Sequence, residues 1–280
     1  MVTNNSINST KPISVPFGGT GVASTTAYAV VCGGTTSTNP LQSIASVGSS
    51  GNLLTSNGAG ALPTFQAPTT FSTVNIQSFT STGTYTPTSG MKYCVVEVWG
   101  GGGAGGGTPT TGAGEYACGG GGAAGGYARS VFSAATIGAS QAVTIGAAAA
   151  GVAGGAGNNG NACSLGALIS ANGGTGGASP SAAATCLASG GIGGTGSGTI
   201  SGIGQRGFNG VAFSTFRYSG GGASTAMGEG GTSQFTGNYD GVAGLGYGSG
   251  GSGAVSTQNN AATKTGGDGA KGIVVVTEFI

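Results

Sequence analysis

The chain has no histidine, and only 5% of its 280 residues are charged. Histidine is the commonest general base and metal ligand, so its absence removes most catalytic constellations. Six carboxylates with no such base leave few others, and we expect no enzyme, no catalytic residue and no cofactor site. Seven Lys and Arg spread along the whole chain form no patch that could displace counterions from a phosphate backbone, which argues against a nucleic-acid partner. Asp240 and Asp268 are the only aspartates, too few for a glycine–aspartate calcium repeat, so no metal site is expected. No apolar run reaches the ~18 residues of a membrane-spanning helix. The opening MVTNNSINSTKPIS has neither the basic region nor the apolar core of a signal peptide.

Cysteine is scarce too. Cys32, Cys94, Cys118, Cys163 and Cys186 form no CxxC pair, and an odd number cannot all be bridged within one chain. They read as small buried apolar residues. A Cys118–Cys163 or Cys163–Cys186 bridge stays open for a chain that ends up outside the cell.

What the chain has is glycine, 66 residues of it. Without a strict three-residue period, such abundance usually signals low complexity. Disorder, however, also requires high net charge and few apolar groups. Here the net charge is +1 and 38% of residues are hydrophobic, so we expect an ordered chain. Each interior glycine costs about 0.5–1 kcal/mol of backbone entropy relative to alanine, which dense backbone hydrogen bonding must offset.

The organising stretch is 91–126, where MKYCVVEVW runs straight into a field in which 15 of the 27 residues from 100 to 126 are glycine. A phosphate-cradling loop would need a helix after the glycines, and TPTTGAGEYACGGGG has no helical period. In the strand, Tyr93, Val95, Glu97 and Trp99 share one face and Cys94, Val96 and Val98 the other, the pattern of a central strand covered on both sides. Glu97 is the exception, expected to be solvated or paired with a lysine. The C-terminal KGIVVVTEFI alternates in the same way, and strands at 91–99 and 272–280 form the expected core pair.

The remaining organisation follows from texture. Residues 1–16 read as an extended arm with Pro12 and Pro16, and carry the sequons at Asn4 and Asn8. Residues 17–68 alternate short apolar pieces (28–32, 41–47 and 52–55) with Gly, Ser, Thr and Asn turns; none could bury a core alone. Residues 69–280 form the glycine-rich β domain, with further strands at 74–79, 127–132, 141–145 and 211–218 and a short strand pair or strand at 163–171. Glycine runs suit polyproline-II geometry, which has three residues per turn and no internal hydrogen bonds. Buried backbone must then pair with neighbouring segments, and glycine permits the close approach this needs.

Two stretches carry resemblances. PFGGTG, AYAVVCGGTTSTNPLQSIASVG and GNLLTSNGAGALPTFQ resemble shaft modules of phage tail-fibre and related viral fibre proteins. TGTYTPTSGMKYCVVEVWGGGGAGG, GGGGAAGGYARSVFSAATIGASQAVTIGAAAAG, ALISANGGTGG and GGDGAKGIVVVTEFI resemble the glycine-rich C-terminal domain of phage tail-fibre and receptor-binding proteins. The resemblance implies a fibre-end domain whose loops contact a host surface.

The expected fold is all-β: a jelly-roll-like β-sandwich base with glycine-rich polyproline-II-type loops, preceded by an extended fibrous N-terminal segment. The expected role is a non-enzymatic fibre or adhesin subunit, extracellular or on a virion surface. Its partners would be itself, as a homotrimer or helical homopolymer, and a cell-surface glycan or protein receptor; no membrane insertion is expected. Loop residues that could anchor a surface are Tyr116, Arg206, Phe208, Phe235, Tyr239 and Tyr247. The alternative is a self-assembling extracellular filament subunit, pilus-like, joined by N-terminal strand addition.

Overall fold

The computed structural model describes residues 19–36, 38–68 and 73–280. The expected N-terminal arm, with Asn4 and Asn8, lies outside the described residues. The chain divides into two compact units, Met1–Thr70 and Phe71–Ile280.

The described part of the first unit holds four short strands: β1 (Val31–Cys32), β2 (Gln42–Ser43), β3 (Leu53–Thr55) and β4 (Thr64–Gln66). They pair antiparallel as β1–β2 and β3–β4. Among its described residues Ile44 alone is a fully buried apolar side chain, at 2% exposure. Polar side chains hold the turns instead: the Asn57 amide donates to the Leu62 carbonyl at 2.7 Å and to Thr64 Oγ1 at 3.1 Å. Two expected strands are shorter than their apolar runs. Tyr28 takes a positive φ of 62° and is 99% exposed, which delays β1 to Val31. The run at 41–47 contributes only Gln42–Ser43, because strand pairing ends where its short partner ends.

The second unit is nearly all β. In chain order its elements are β5 (Val74–Phe79), β6 (Gly83–Tyr85), β7 (Tyr93–Trp99), β8 (Ala117–Cys118), β9 (Tyr127–Ser133), α1 (Ala134–Ile137), β10 (Gln141–Thr144), β11 (Cys163–Leu165) and β12 (Ile169–Ala171). There follow β13 (Thr185–Ala188), β14 (Gly196–Ser197), β15 (Ile200–Gly202), β16 (Gly210–Phe213), β17 (Phe216–Tyr218), β18 (Val255–Ser256) and β19 (Ile273–Phe279). The one helix among the described residues is a single turn. Its N-cap Ser133 Oγ accepts from the Thr136 N–H at 3.2 Å, and Gly138 ends it at φ 71°.

Two five-stranded antiparallel sheets make the base: β15-β9-β7-β19-β5 and β14-β12-β11-β10-β6. The expected core pair is present in register, with Val96 opposite Val276 and Trp99 opposite Ile273. The period-two pattern of β7 buries Cys94, Val96 and Val98 completely. They share one apolar core with Val274 and Val276 of the same sheet and with Tyr85, Val143, Leu165 and Ile169 of the other. At about 25 cal/mol per Å² of apolar surface buried, this core stabilises the packing of the two sheets. Coverage on both faces, expected for β7, is not found. Tyr93, Val95, Glu97 and Trp99 are only half-buried, because the second sheet packs on the opposite face.

The stretch 163–171 is the pair rather than the single strand of its two expected forms, and 211–218 is a hairpin rather than a single strand. Gly166 turns the first at φ 51°, and Ser214 at φ 41° lies in the two-residue loop of the second. A three-stranded sheet, β13-β16-β17, and the pair β18-β8 complete the unit.

Between the sheets' ends the glycine runs are bonded to one another with a period of three. The N–H groups of Gly100, Gly103 and Gly106 donate to the carbonyls of Gly126, Ala123 and Gly120. Those of Gly101, Ala104 and Gly107 go to Asn161, Asn158 and Gly155, and those of Gly102, Gly105 and Thr108 go to Ala270, Gly267 and Lys264. Each successive residue thus faces a different neighbouring segment. Residues 119–126 repeat the pattern: Gly119, Gly122 and Gly125 donate to Ala254, Gly251 and Gly248, and Gly120, Ala123 and Gly126 to Ala178, Thr175 and Asn172. Most of 100–108 and 119–126 is buried although it carries almost no side chain. Its backbone groups are satisfied by these cross-segment bonds, as burial requires. At Gly105 the approach is so close that an added Cβ would run into the Ser252 carbonyl.

Candidate ligand-binding cleft

Trp99 ends β7 and Tyr127 begins β9, directly opposite one another in the ladder. Each stands where a strand gives way to glycine, so no large side chain follows to cover it. Their rings lie 4.8 Å apart, centroid to centroid, tilted by 49°. Two residues back along β7, on the same face, Glu97 accepts a 2.6 Å hydrogen bond from the Tyr127 hydroxyl. Glu97 is therefore paired with a tyrosine, not with the lysine or bulk water expected from sequence.

These three side chains line a cleft of about 410 Å³, together with Ile203, Gln205 and Thr225. Its far wall comes from the loops. Gln205 Oε1 accepts from the Ser224 N–H at 3.1 Å, and Thr225 Oγ1 donates to the Tyr247 carbonyl at 2.7 Å. The floor is glycine lattice: the Ala124 and Gly125 N–H groups bond the carbonyls of Gln205 and Gly248 at 2.9 Å. The walls are thus fixed by backbone bonds and an aromatic pair, and the cleft is preformed. Burial and the hydrogen bond to Glu97 push the Tyr127 hydroxyl up to about 12, so it remains a donor at neutral pH. Chemically, the cleft offers an aromatic platform, one carboxylate, an amide and a hydroxyl. That set can hold a polar ring with one apolar face. It lacks a nucleophile–base pair.

The six loop residues singled out in the sequence lie elsewhere or at its margin. Arg206 is exposed beside Gln205, and the Tyr247 carbonyl accepts from Thr225 of the cleft wall. Tyr116 is half-buried against Cys118 and Cys186, with the Arg217 guanidinium 5.0 Å from its ring centroid. Phe235 packs edge-on to Tyr218, with centroids 4.6 Å apart. Tyr239 exchanges both backbone hydrogen bonds with Val255 at 3.0 Å, leaving its ring exposed. Phe208 is exposed. The sequence reading missed Trp99, Tyr127, Gln205 and Thr225 as cleft residues. The available signal was a lone tryptophan two residues beyond a carboxylate at the last position before glycine.

Among the described residues no cluster of three or more His, Cys, Asp or Glu side chains is placed to hold a metal ion, and no helix is long and apolar enough to cross a membrane. Residues 77–278 match the model of the glycine-rich domain family, and the chain belongs to that family. No curated protein matches the sequence.

Proposed function

We propose that the chain is a non-enzymatic fibre subunit that attaches to a surface, with the Trp99–Tyr127–Glu97 cleft as its anchor for a glycan. The carrying observation is the cleft itself: an aromatic pair beside a carboxylate, with Gln205 and Thr225 opposite, in about 410 Å³. A pyranose presents an apolar CH face and a polar rim, which match the two kinds of wall. The tail-fibre resemblance supports the same reading and implies a location outside the cell or on a virion. The glycine body supports it mechanically. A bond period of three is that of polyproline II, and we read residues 100–108 and 119–126 as such helices packed side by side on a jelly-roll-like sandwich base. An experimental structure with φ near about −75° and ψ near about +145° along these runs would bear this out. The adhesion test is binding of purified protein to immobilised glycans and to whole cells. Trp99→Ala should reduce binding at least tenfold while leaving the fold intact, and undiminished binding would overturn the cleft assignment. Loss with Tyr239→Ala and Tyr247→Ala but not Trp99→Ala would move the anchor to the loop aromatics.

A second reading is a filament joined by strand addition. It is favoured by β5, which among the described residues has a strand on one side only, β19. Electron microscopy separates the two: discrete particles support the fibre-tip role, and long helical polymers the filament.

A further inference from the structure

We propose that Cys118 and Cys186 form a disulfide that locks the glycine body to the three-stranded sheet. Cys118 closes β8, immediately before the glycine run at 119–126, and Cys186 lies in β13. Their sulfurs are 2.9 Å apart, so a shift of less than about 1 Å reaches the ~2.05 Å of a disulfide bond. The backbone already holds them there. The Cys118 N–H donates to Cys186 Sγ at 3.2 Å, and each sulfur lies 3.7 Å from the other residue's carbonyl oxygen. The surroundings are small and apolar, with Ala188 and Ala212 buried beside the pair and Tyr116 packed over it. The other cysteines are differently placed. Cys163 accepts from the Gly146 N–H at 3.1 Å inside the main core, Cys94 is buried in β7, and Cys32 belongs to the first unit. The two pairings left open by sequence both used Cys163. The fold instead selects the third combination of Cys118, Cys163 and Cys186.

The reaction is a thiol–disulfide exchange with a low-molecular-weight disulfide such as oxidised glutathione. Cys186 is the less enclosed of the two, 6% exposed where Cys118 is fully buried, which makes its thiol the attacking group. Its thiolate displaces one small thiolate and forms a mixed disulfide. The Cys118 sulfur, after losing its proton, then attacks the Cys186 sulfur and releases the second small thiolate. The protein loses two electrons and two protons, and the oxidant becomes two thiols. Because Cys118 is fully buried, the exchange takes place as the domain folds or opens. Closing the segment between the two residues removes conformational freedom from the unfolded chain.

The test uses the full chain, incubated with oxidised glutathione or with a phosphine reductant, then denatured and alkylated. The expected result is a Cys118 peptide linked to a Cys186 peptide in the oxidised sample, with a Tm several degrees above that of the reduced one. Cys163→Ala should keep the link, and Cys118→Ser should abolish it together with the Tm difference. Free, alkylatable Cys118 and Cys186 after oxidation, or a link through Cys163, would overturn the proposal. The mapping on the unmodified chain stands even if a variant fails to fold.

Discussion

Glu278 accepts two hydrogen bonds from Thr88, at 2.9 Å from its backbone N–H and at 2.6 Å from its hydroxyl. Asn75, Gln77 and Tyr85 add three more, at 2.8, 3.2 and 2.8 Å. The carboxylate is fully buried, yet none of these five donors is a cation. It ties the end of β19 to β5, to β6 and to the 86–91 turn that leads into β7.

Burial alone would raise the Glu278 pKa; the hydrogen bonds, those from Thr88 foremost, outweigh it and bring it down to about 2. The unfolded carboxyl titrates near 4.5. Between these values the unfolded chain binds more protons, so stability rises with pH. The contribution is fully present above about pH 4.5 and is lost as pH falls towards 2. It amounts to about 3 kcal/mol, at about 1.4 kcal/mol per unit. Glu278→Gln should therefore flatten the acid limb of a Tm-against-pH curve and cost roughly 1–3 kcal/mol at neutral pH. An unchanged acid limb would show that another carboxylate controls it.

Two glycine substitutions should behave oppositely. A Cβ at Gly105 meets the Ser252 carbonyl and carbon, both backbone, with no flexible side chain to yield. Gly105→Ala should destabilise by about 3 kcal/mol or prevent folding. Gly83 sits in β6 with open space around it and an ordinary φ. There alanine narrows only the unfolded ensemble, and Gly83→Ala should stabilise by roughly 0.5 kcal/mol. Denaturant midpoints of the two variants decide whether close backbone approach, rather than flexibility, explains the glycine content.

The Tyr127 hydroxyl supplies a spectroscopic prediction. Its pKa of about 12 lies above the ordinary tyrosine value of 10, so the folded state holds this proton longer than the unfolded state. Stability should fall as pH rises from about 10 to 12. Ultraviolet titration should show a step near pH 12 that Tyr127→Phe removes; Tyr85, which burial and its hydrogen bond to Glu278 shift upward further, ionises later still. If the step near pH 12 persists in Tyr127→Phe, the Glu97 hydrogen bond is not its source.

The strongest elements of the base were legible because their periodicity is unmistakable. KYCVVEVW and GIVVVTEF alternate at period two, and each is long enough to be a strand on its own evidence. The lattice was legible only as a requirement. Glycine runs show that backbones must approach closely, but a partner such as Gly267 for Gly105 depends on chain paths that no local pattern encodes. The cleft was obscured for a related reason. Trp99 and Glu97 look like members of a covered strand face, and only the chain path that brings in Gln205 and Thr225 turns that face into a wall. Glu278 escaped notice because a lone acidic residue in an apolar strand is buried only when distant donors, here Asn75, Gln77, Tyr85 and Thr88, converge on it.

The edge strand β5 allows a last prediction that bears on assembly. Ile76 is 64% exposed and Val74 is 53% exposed, an apolar pair on an edge with a neighbour on one side among the described residues. Edges of this kind are commonly blunted by lysine, which disfavours addition of another strand. Ile76→Lys should change stability by no more than about 0.5 kcal/mol, because the side chain is largely in solvent. If β5 accepts a strand from a second copy, the same change should shift sedimentation from large assemblies to single particles. Equal sedimentation of the two proteins, with their thermal melts superimposed, would remove β5 from any account of self-association.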